Sequence, residues 1–159
     1  MQHHHLPEQL LQLQIKIIKD QQKILVIGDS ADSLKIQTGG WTLDWQGANN
    51  TNSDFPGSVT FLQALKEYEN LEITHKNSLS NLDLNNNYDL VIVAYGEEPY
   101  AEGIGDRKNL FYRDSKTLNT LKRLKRNGNK VVSIFFTGRP LWTNEFINLS
   151  DAFVVAWLP

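Results

Sequence analysis

The sequence contains no cysteine. That excludes disulfides, thiol nucleophiles and zinc–thiolate centres, but leaves the compartment open, since many exported proteins also lack cysteine. Neither charge is in excess: 16 Lys and Arg against 18 Asp and Glu leave a formal net charge of -2. Nothing therefore pulls the chain toward nucleic acid or an anionic membrane. No apolar run approaches the ~20 residues of a membrane span. The polar start shows no signal peptide. Histidine is scarce, with only His75 outside His3, His4 and His5. That short run reads as a flexible tail ahead of a metal site. No G-x-S-x-G occurs, so a Ser-His-Asp hydrolase has no support. The turn Gly28-Asp29-Ser30-Ala31-Asp32 is not G-x-G-x-x-G, no phosphate-binding G-x-x-x-x-G-K-[ST] is present, and acids at that turn would repel a phosphate.

What is present suits one domain of ordinary size: 159 residues, 40% of them hydrophobic. Residues 8–20 have the length and composition of a helix. Lys23-Ile24-Leu25-Val26-Ile27-Gly28 reads as a strand buried on both faces. Residues 28–57, rich in Gly, Asn, Asp and Ser, read as a long loop that two tryptophans make functional instead of disordered. A helix is predicted over 58–68, with Ser58 as N-cap and Phe61, Leu62 and Leu65 on one face. Strands are predicted at 71–74, 89–95, 130–136 and 151–156, and a surface loop or irregular helix at 77–87. Ser115 to Arg126 is a helix stopped by Asn127-Gly128-Asn129, and 140–149 holds a short one. The basic run Lys122, Arg123, Lys125 and Arg126 reads as a solvated face near the helix end. The alternation of elements predicts an α/β fold: a three-layer, Rossmann- or flavodoxin-like sandwich on a largely parallel sheet of about five to six strands.

In open parallel sheets, ligands bind beyond the carboxyl ends of the strands. Three loops leave such ends here. One follows Ile27 and carries Trp41 and Trp45. One follows Tyr95 and carries Glu97, Glu98, Glu102 and Asp106. One follows Phe136 and carries Arg139. Indole faces stack on the C–H faces of pyranose rings, charged groups pair with sugar hydroxyls, and a carboxylic acid can protonate a glycosidic oxygen. The bland readings stand beside these. The tryptophans could cap the core, the acidic loop could be merely solvated or could hold Ca²⁺, and Arg139 could only tie its loop to backbone carbonyls. His75 belongs at a surface strand edge.

Five stretches, taken together and in order, resemble a known family. They are Lys23-Ile24-Leu25-Val26-Ile27-Gly28, Gly39-Gly40-Trp41-Thr42-Leu43-Asp44-Trp45-Gln46-Gly47, Gly96-Glu97-Glu98-Pro99-Tyr100-Ala101-Glu102 with Gly105-Asp106, Thr137-Gly138-Arg139-Pro140, and Asp151-Ala152 through Ala156-Trp157-Leu158-Pro159. They resemble the second domain of glycoside hydrolase family 3, in its exo-β-glucanase and β-glucosidase branch. The resemblance implies residues 1–22 as tail and helix, and 23–159 as a domain of this type, truncated at its C-terminus. It implies a missing (β/α)₈ barrel domain that supplies a nucleophilic aspartate, a β-glucoside or β-glucan substrate, no cofactor, and a periplasmic or secreted parent enzyme. It makes Glu102 the catalytic acid/base. Trp45 becomes the sugar-stacking wall, with Trp41 beside it as a second substrate-binding residue. Glu97, Asp106 and Arg139 match positions that shape loops. A retaining mechanism needs its proton donor to stay protonated near neutral pH. Neighbouring carboxylates and a Trp-walled pocket are expected to raise the Glu102 pKa accordingly. Alone, the chain should be inert or nearly so. A stand-alone sugar-binding module and a protein-contact scaffold are the alternatives.

Overall fold

The structure, a computed structural model, describes residues 22–78 and 88–159. The helix expected at 8–20 and most of the loop expected at 77–87 lie outside the described residues. Among these described residues five strands form one sheet: β1 (Gln22–Ile27), β2 (Leu71–Lys76), β3 (Leu90–Gly96), β4 (Val131–Phe136) and β5 (Ala152–Trp157). Their order is β2-β1-β3-β4-β5, and every neighbouring pair is parallel. This is the flavodoxin-like order.

Parallel strands need crossovers, and the crossovers cover both faces. Among the described residues four helices do this: α1 (Leu34–Thr38), α2 (Phe61–Lys66), α3 (Ser115–Arg126) and α4 (Asn144–Ile147). Because strand side chains alternate, the core splits in two. Ile24, Val26, Ile92, Ala94, Ile134 and Phe136 pack with Ile36 of α1 and Phe61, Leu62 and Leu65 of α2. Leu25, Ile27, Val91, Val93, Tyr95 and Phe135 pack on the other face with Leu121 and Leu124 of α3 and Phe146 of α4. The three-layer α/β sandwich expected from the sequence is the architecture found.

Local details differ. The helix predicted over 58–68 spans only Phe61–Lys66, and its N-cap is Thr60 instead of Ser58. The Thr60 hydroxyl accepts the Gln63 N–H while the Gln63 side chain accepts the Thr60 N–H. That reciprocal box outcompetes a lone serine two residues earlier. Residues 28–57 are not all loop. They hold α1 and two 3₁₀ turns, Asp29–Asp32 and Asn52–Asp54, too short for periodicity to reveal. Buried Gln37 steadies this segment, donating to the carbonyls of Ser30 and Ala31 and accepting the Phe61 N–H. Helix α3 matches its prediction, with Asp114 capping Thr117 N–H and Gly128 leaving at φ 75.

The connection after β1 runs over one face and that after β3 over the other, so the two loops part between these adjacent strands. Such a switch point leaves a crevice at the strand ends. Gly28 sits there with φ 112, and a Cβ would overlap the Ala94 carbonyl oxygen.

Candidate active site

The loop after β1 folds back as a tight turn. Trp41 has φ 61, and its N–H donates to the Trp45 carbonyl at 3.1 Å. A bulky residue in the left-handed region carries strain of about 1–3 kcal/mol. The turn rests on backbone: a Cβ on Gly40 would overlap the Tyr100 carbonyl oxygen. It sets the Trp41 and Trp45 rings 6.4 Å apart, tilted by 56°. Both are exposed, at 69% and 53%. They do not cap the core.

The loop after β3 brings Glu102 to them. The Trp41 and Trp45 indole N–H groups both donate to Glu102 Oε2, at 3.1 and 2.9 Å. Gln46 joins the two loops, donating to the Glu102 carbonyl at 3.1 Å and accepting the Ala101 N–H at 2.8 Å. The three residues singled out in the sequence thus meet at one point of the rim.

Their electrostatics run against expectation. The Glu102 carboxyl lies below its ordinary range: the Trp45 N–H bond is the main cause, its own backbone N–H comes next, desolvation opposes, and the Trp41 N–H makes the smallest contribution. The expected upward push is missing for two reasons. Glu102 is open to solvent in this chain, and the neighbouring carboxylates are paired elsewhere. Glu98 pairs with Lys35 at 3.5 Å. Glu97 is gripped by Arg139 (Nη2 2.9 Å, Nε 3.1 Å), by Arg107 (3.1 Å) and by the Thr137 hydroxyl (2.7 Å). These acids are dispersed over separate partners and do not form one cluster. Among the described residues no group of three or more acidic or histidine side chains is placed to hold a metal ion.

Arg139 does tie its loop down. It donates to the Gly105 carbonyl and lies 3.9 Å from the Tyr100 ring centroid. It therefore spans residues 97, 100 and 105 and closes the segment bearing Glu102. Asp106 lies exposed, its N–H closing a turn onto the Gly103 carbonyl. His75 stands on the edge strand β2 and reaches the Gly28 carbonyl at 3.1 Å. Two contributors went unassigned in the sequence. Gln46 stood inside a recognised stretch without a role, and Arg107 had no local signal, since its partners Glu97 and the Phe111 carbonyl are set by the loop's course. A cleft of about 200 Å³ lies beside this constellation, lined by Gly40, Trp41, Glu98, Tyr100, Gly138 and Leu158. Glu102 is outside it.

Comparison with known proteins shows what the chain is similar to. The chain is 32% identical to a lysosomal beta glucosidase of Dictyostelium discoideum over 94% of its length, covering 20% of that protein. An exo-1,3/1,4-beta-glucanase from a Pseudoalteromonas species superposes with a TM-score of 0.81 at 42% identity, over 89% of this chain and 18% of that one. A beta-glucosidase from Listeria innocua shares the fold, with a TM-score of 0.66 at 24% identity over 89% of this chain and 20% of that one. The chain thus spans about a fifth of the length of these relatives. The family model described as the glycosyl hydrolase family 3 C-terminal domain matches residues 16–159, and the chain belongs to that family.

Proposed function

We propose that this chain is the acid/base-bearing second domain of a retaining β-glucosidase or exo-β-glucanase acting on terminal β-D-glucosyl residues. The observation that carries this reading is the convergence of Trp41 and Trp45 on Glu102 at the strand-end rim. Glu102 protonates the leaving glycosidic oxygen and, as carboxylate, then activates water. Trp45 and Trp41 offer apolar faces to a sugar ring. The nucleophilic carboxylate, about 5–5.5 Å from the acid in retaining enzymes, comes from a barrel domain of the longer parent.

The exposed, readily ionised Glu102 fits half of a site. Burial beneath a second domain, with a carboxylate brought close, raises a carboxyl pKa into the range a proton donor needs. The isolated chain lacks both and is accordingly inert.

The test is Glu102→Ala in the full-length parent, assayed on an aryl β-glucoside with a good leaving group and on a natural disaccharide. General acid catalysis contributes roughly 10²–10⁴-fold. The disaccharide should lose that much, the aryl glucoside far less, and azide should restore the aryl reaction. Equal losses on both substrates would sink the assignment. Glucan binding by the isolated chain that disappears in Trp45→Ala would favour a non-catalytic sugar-binding module instead.

A further inference from the structure

We propose that Trp41 and Trp45 are positioning residues for proton transfer, because their indole N–H groups together occupy Glu102 Oε2 and leave Oε1 as the oxygen that carries and delivers the proton. This rests on the reading of Glu102 as acid/base and adds which atom acts and what selects it.

A carboxylate oxygen offers two in-plane lone pairs, and an indole N–H can only donate. Two such donors reach Oε2, at 3.1 and 2.9 Å. No side chain among the described residues donates to Oε1, and the one further donor to the carboxyl is the backbone N–H of Glu102 itself. A proton on Oε2 would have to displace an indole. A proton on Oε1 leaves both bonds in place, with Oε2 as the carbonyl oxygen of the neutral acid. The backbone points the same way independently. Trp41 is held in the left-handed region by the N–H bond to the Trp45 carbonyl, the turn that brings two indole edges onto one atom.

The step balances. The Oε1–H bond breaks and its proton passes to the glycosidic oxygen. The bond from that oxygen to the anomeric carbon breaks with its electron pair moving to the oxygen. The anomeric carbon takes a new pair from the carboxylate nucleophile of the parent's other domain. Negative charge appears on the Glu102 carboxyl as the proton leaves. Donors already aimed at Oε2 strengthen at that moment, so they favour the transition state over the ground state. In the second half-reaction Oε1 takes a proton from water as the water oxygen bonds the anomeric carbon, and the ester bond to the nucleophile breaks with its pair returning to that carboxylate. The indole pair thus has an electrostatic role apart from sugar stacking. Trp→Phe separates the two, since phenylalanine keeps an apolar ring and loses the N–H.

The charged groups around the site leave this readout clean. Glu97 is bound to Arg139 and Arg107, and Glu98 to Lys35. Asp44 accepts the Gly47 N–H within the Trp turn, and Asp106 is exposed on the Glu102 loop. None of these contacts involves an indole.

The experiment is carboxyl ¹³C NMR of the chain labelled at glutamate, titrated with pH in wild type, Trp41→Phe, Trp45→Phe and the double variant. Glu102→Gln assigns the resonance. The Glu102 midpoint should move to higher pH in each single variant and further in the double. The Trp41 and Trp45 indole N–H resonances should shift with that same midpoint in the wild type, and stay still in Glu102→Gln. An unchanged midpoint in the double variant overturns the proposal, as do indole resonances that ignore the Glu102 titration. Trp45 is not among the residues with positive φ, so Trp45→Phe carries the test alone if Trp41→Phe fails to fold. Failure here leaves the leaving-group test of Glu102→Ala untouched, and failure there leaves this titration untouched.

Discussion

Breaking the Glu97–Arg139 contact should destabilise the chain in a way that depends on both partners. The pair is well shielded: the Glu97 side chain is 9% exposed and that of Arg139 20%. Arg139→Ala removes the charge-assisted bonds to Glu97, the bond to the Gly105 carbonyl and the cation–π contact with Tyr100. Bonds to charged groups contribute about 1.5–3 kcal/mol, and a cation–π contact about 0.5–2 kcal/mol. Glu97 keeps Arg107 and Thr137, so it is not left as a bare buried charge. The net cost of Arg139→Ala should be about 3 kcal/mol, at the lower end of the loss expected for a fully buried, fully orphaned partner. Glu97→Ala should cost at least as much, because it takes the carboxylate from two guanidinium groups and leaves them only carbonyl and ring partners. For a domain of this size each kcal/mol moves the Tm by about 2–4 °C, so Arg139→Ala should melt about 9 °C lower. Urea denaturation followed by far-UV circular dichroism, on both single variants and the double, gives the coupling energy, expected near 2 kcal/mol. Additive losses, with coupling under about 0.5 kcal/mol, would refute the idea that these residues act as one clamp.

Three further outcomes can be checked on the same chain. Gly28→Ala should cost about 3 kcal/mol or more, since φ is 112 and the new methyl meets the Ala94 carbonyl. Gly103→Ala, with φ 84 and nothing within 4 Å, should cost only about 1–2 kcal/mol; thermal melts that rank the two equally contradict the crevice packing. Asp151 is held below its ordinary 3.8, chiefly by the Lys125 ammonium and next by the Val131 N–H. A depressed folded pKa gives stability that is present above 3.8 and lost as pH falls through the folded value. With the pair nearly half exposed this amounts to under about 1 kcal/mol, so a small stability gap between wild type and Asp151→Asn at pH 6 should close in acid. A gap that persists at pH 2 would exclude the ion pair as its source. Burial pushes the Tyr95 and Tyr112 phenols well above their ordinary 10, so the stability they give holds below pH 10 and is lost as pH rises above it. Absorbance at 295 nm should show these two of the five tyrosines ionising only as the chain unfolds. Reversible ionisation of all five in the native state would count against that packing.

Much of the sheet was readable because burial on both faces writes itself locally. The runs Ile24–Ile27, Val91–Tyr95 and Val131–Phe136 have nearly every position buried, which demands continuous apolar residues whatever the partners. Helix α3 was readable because twelve residues give leucine periodicity room to appear and Gly128 marks its end. The short helices in 28–57 were not, since five residues show no period and their stability comes from remote contacts, such as Gln37 with Phe61 N–H. The start of α2 was missed because two capping residues stood two positions apart, and only Gln63 decides between them.

By itself the sequence determined the layer architecture and which three loops leave the strand ends, because alternation and turn chemistry act between near neighbours; the family was carried by the resemblance of five stretches taken together. Only the tertiary structure decided the electrical state of Glu102. The acids beside it in sequence turn away to Arg139, Arg107 and Lys35, and the groups that touch its carboxylate lie 57 and 61 residues earlier. A hydrogen bond depends on direction as well as proximity, and here the direction is set by a strained φ at Trp41 that no local pattern announces.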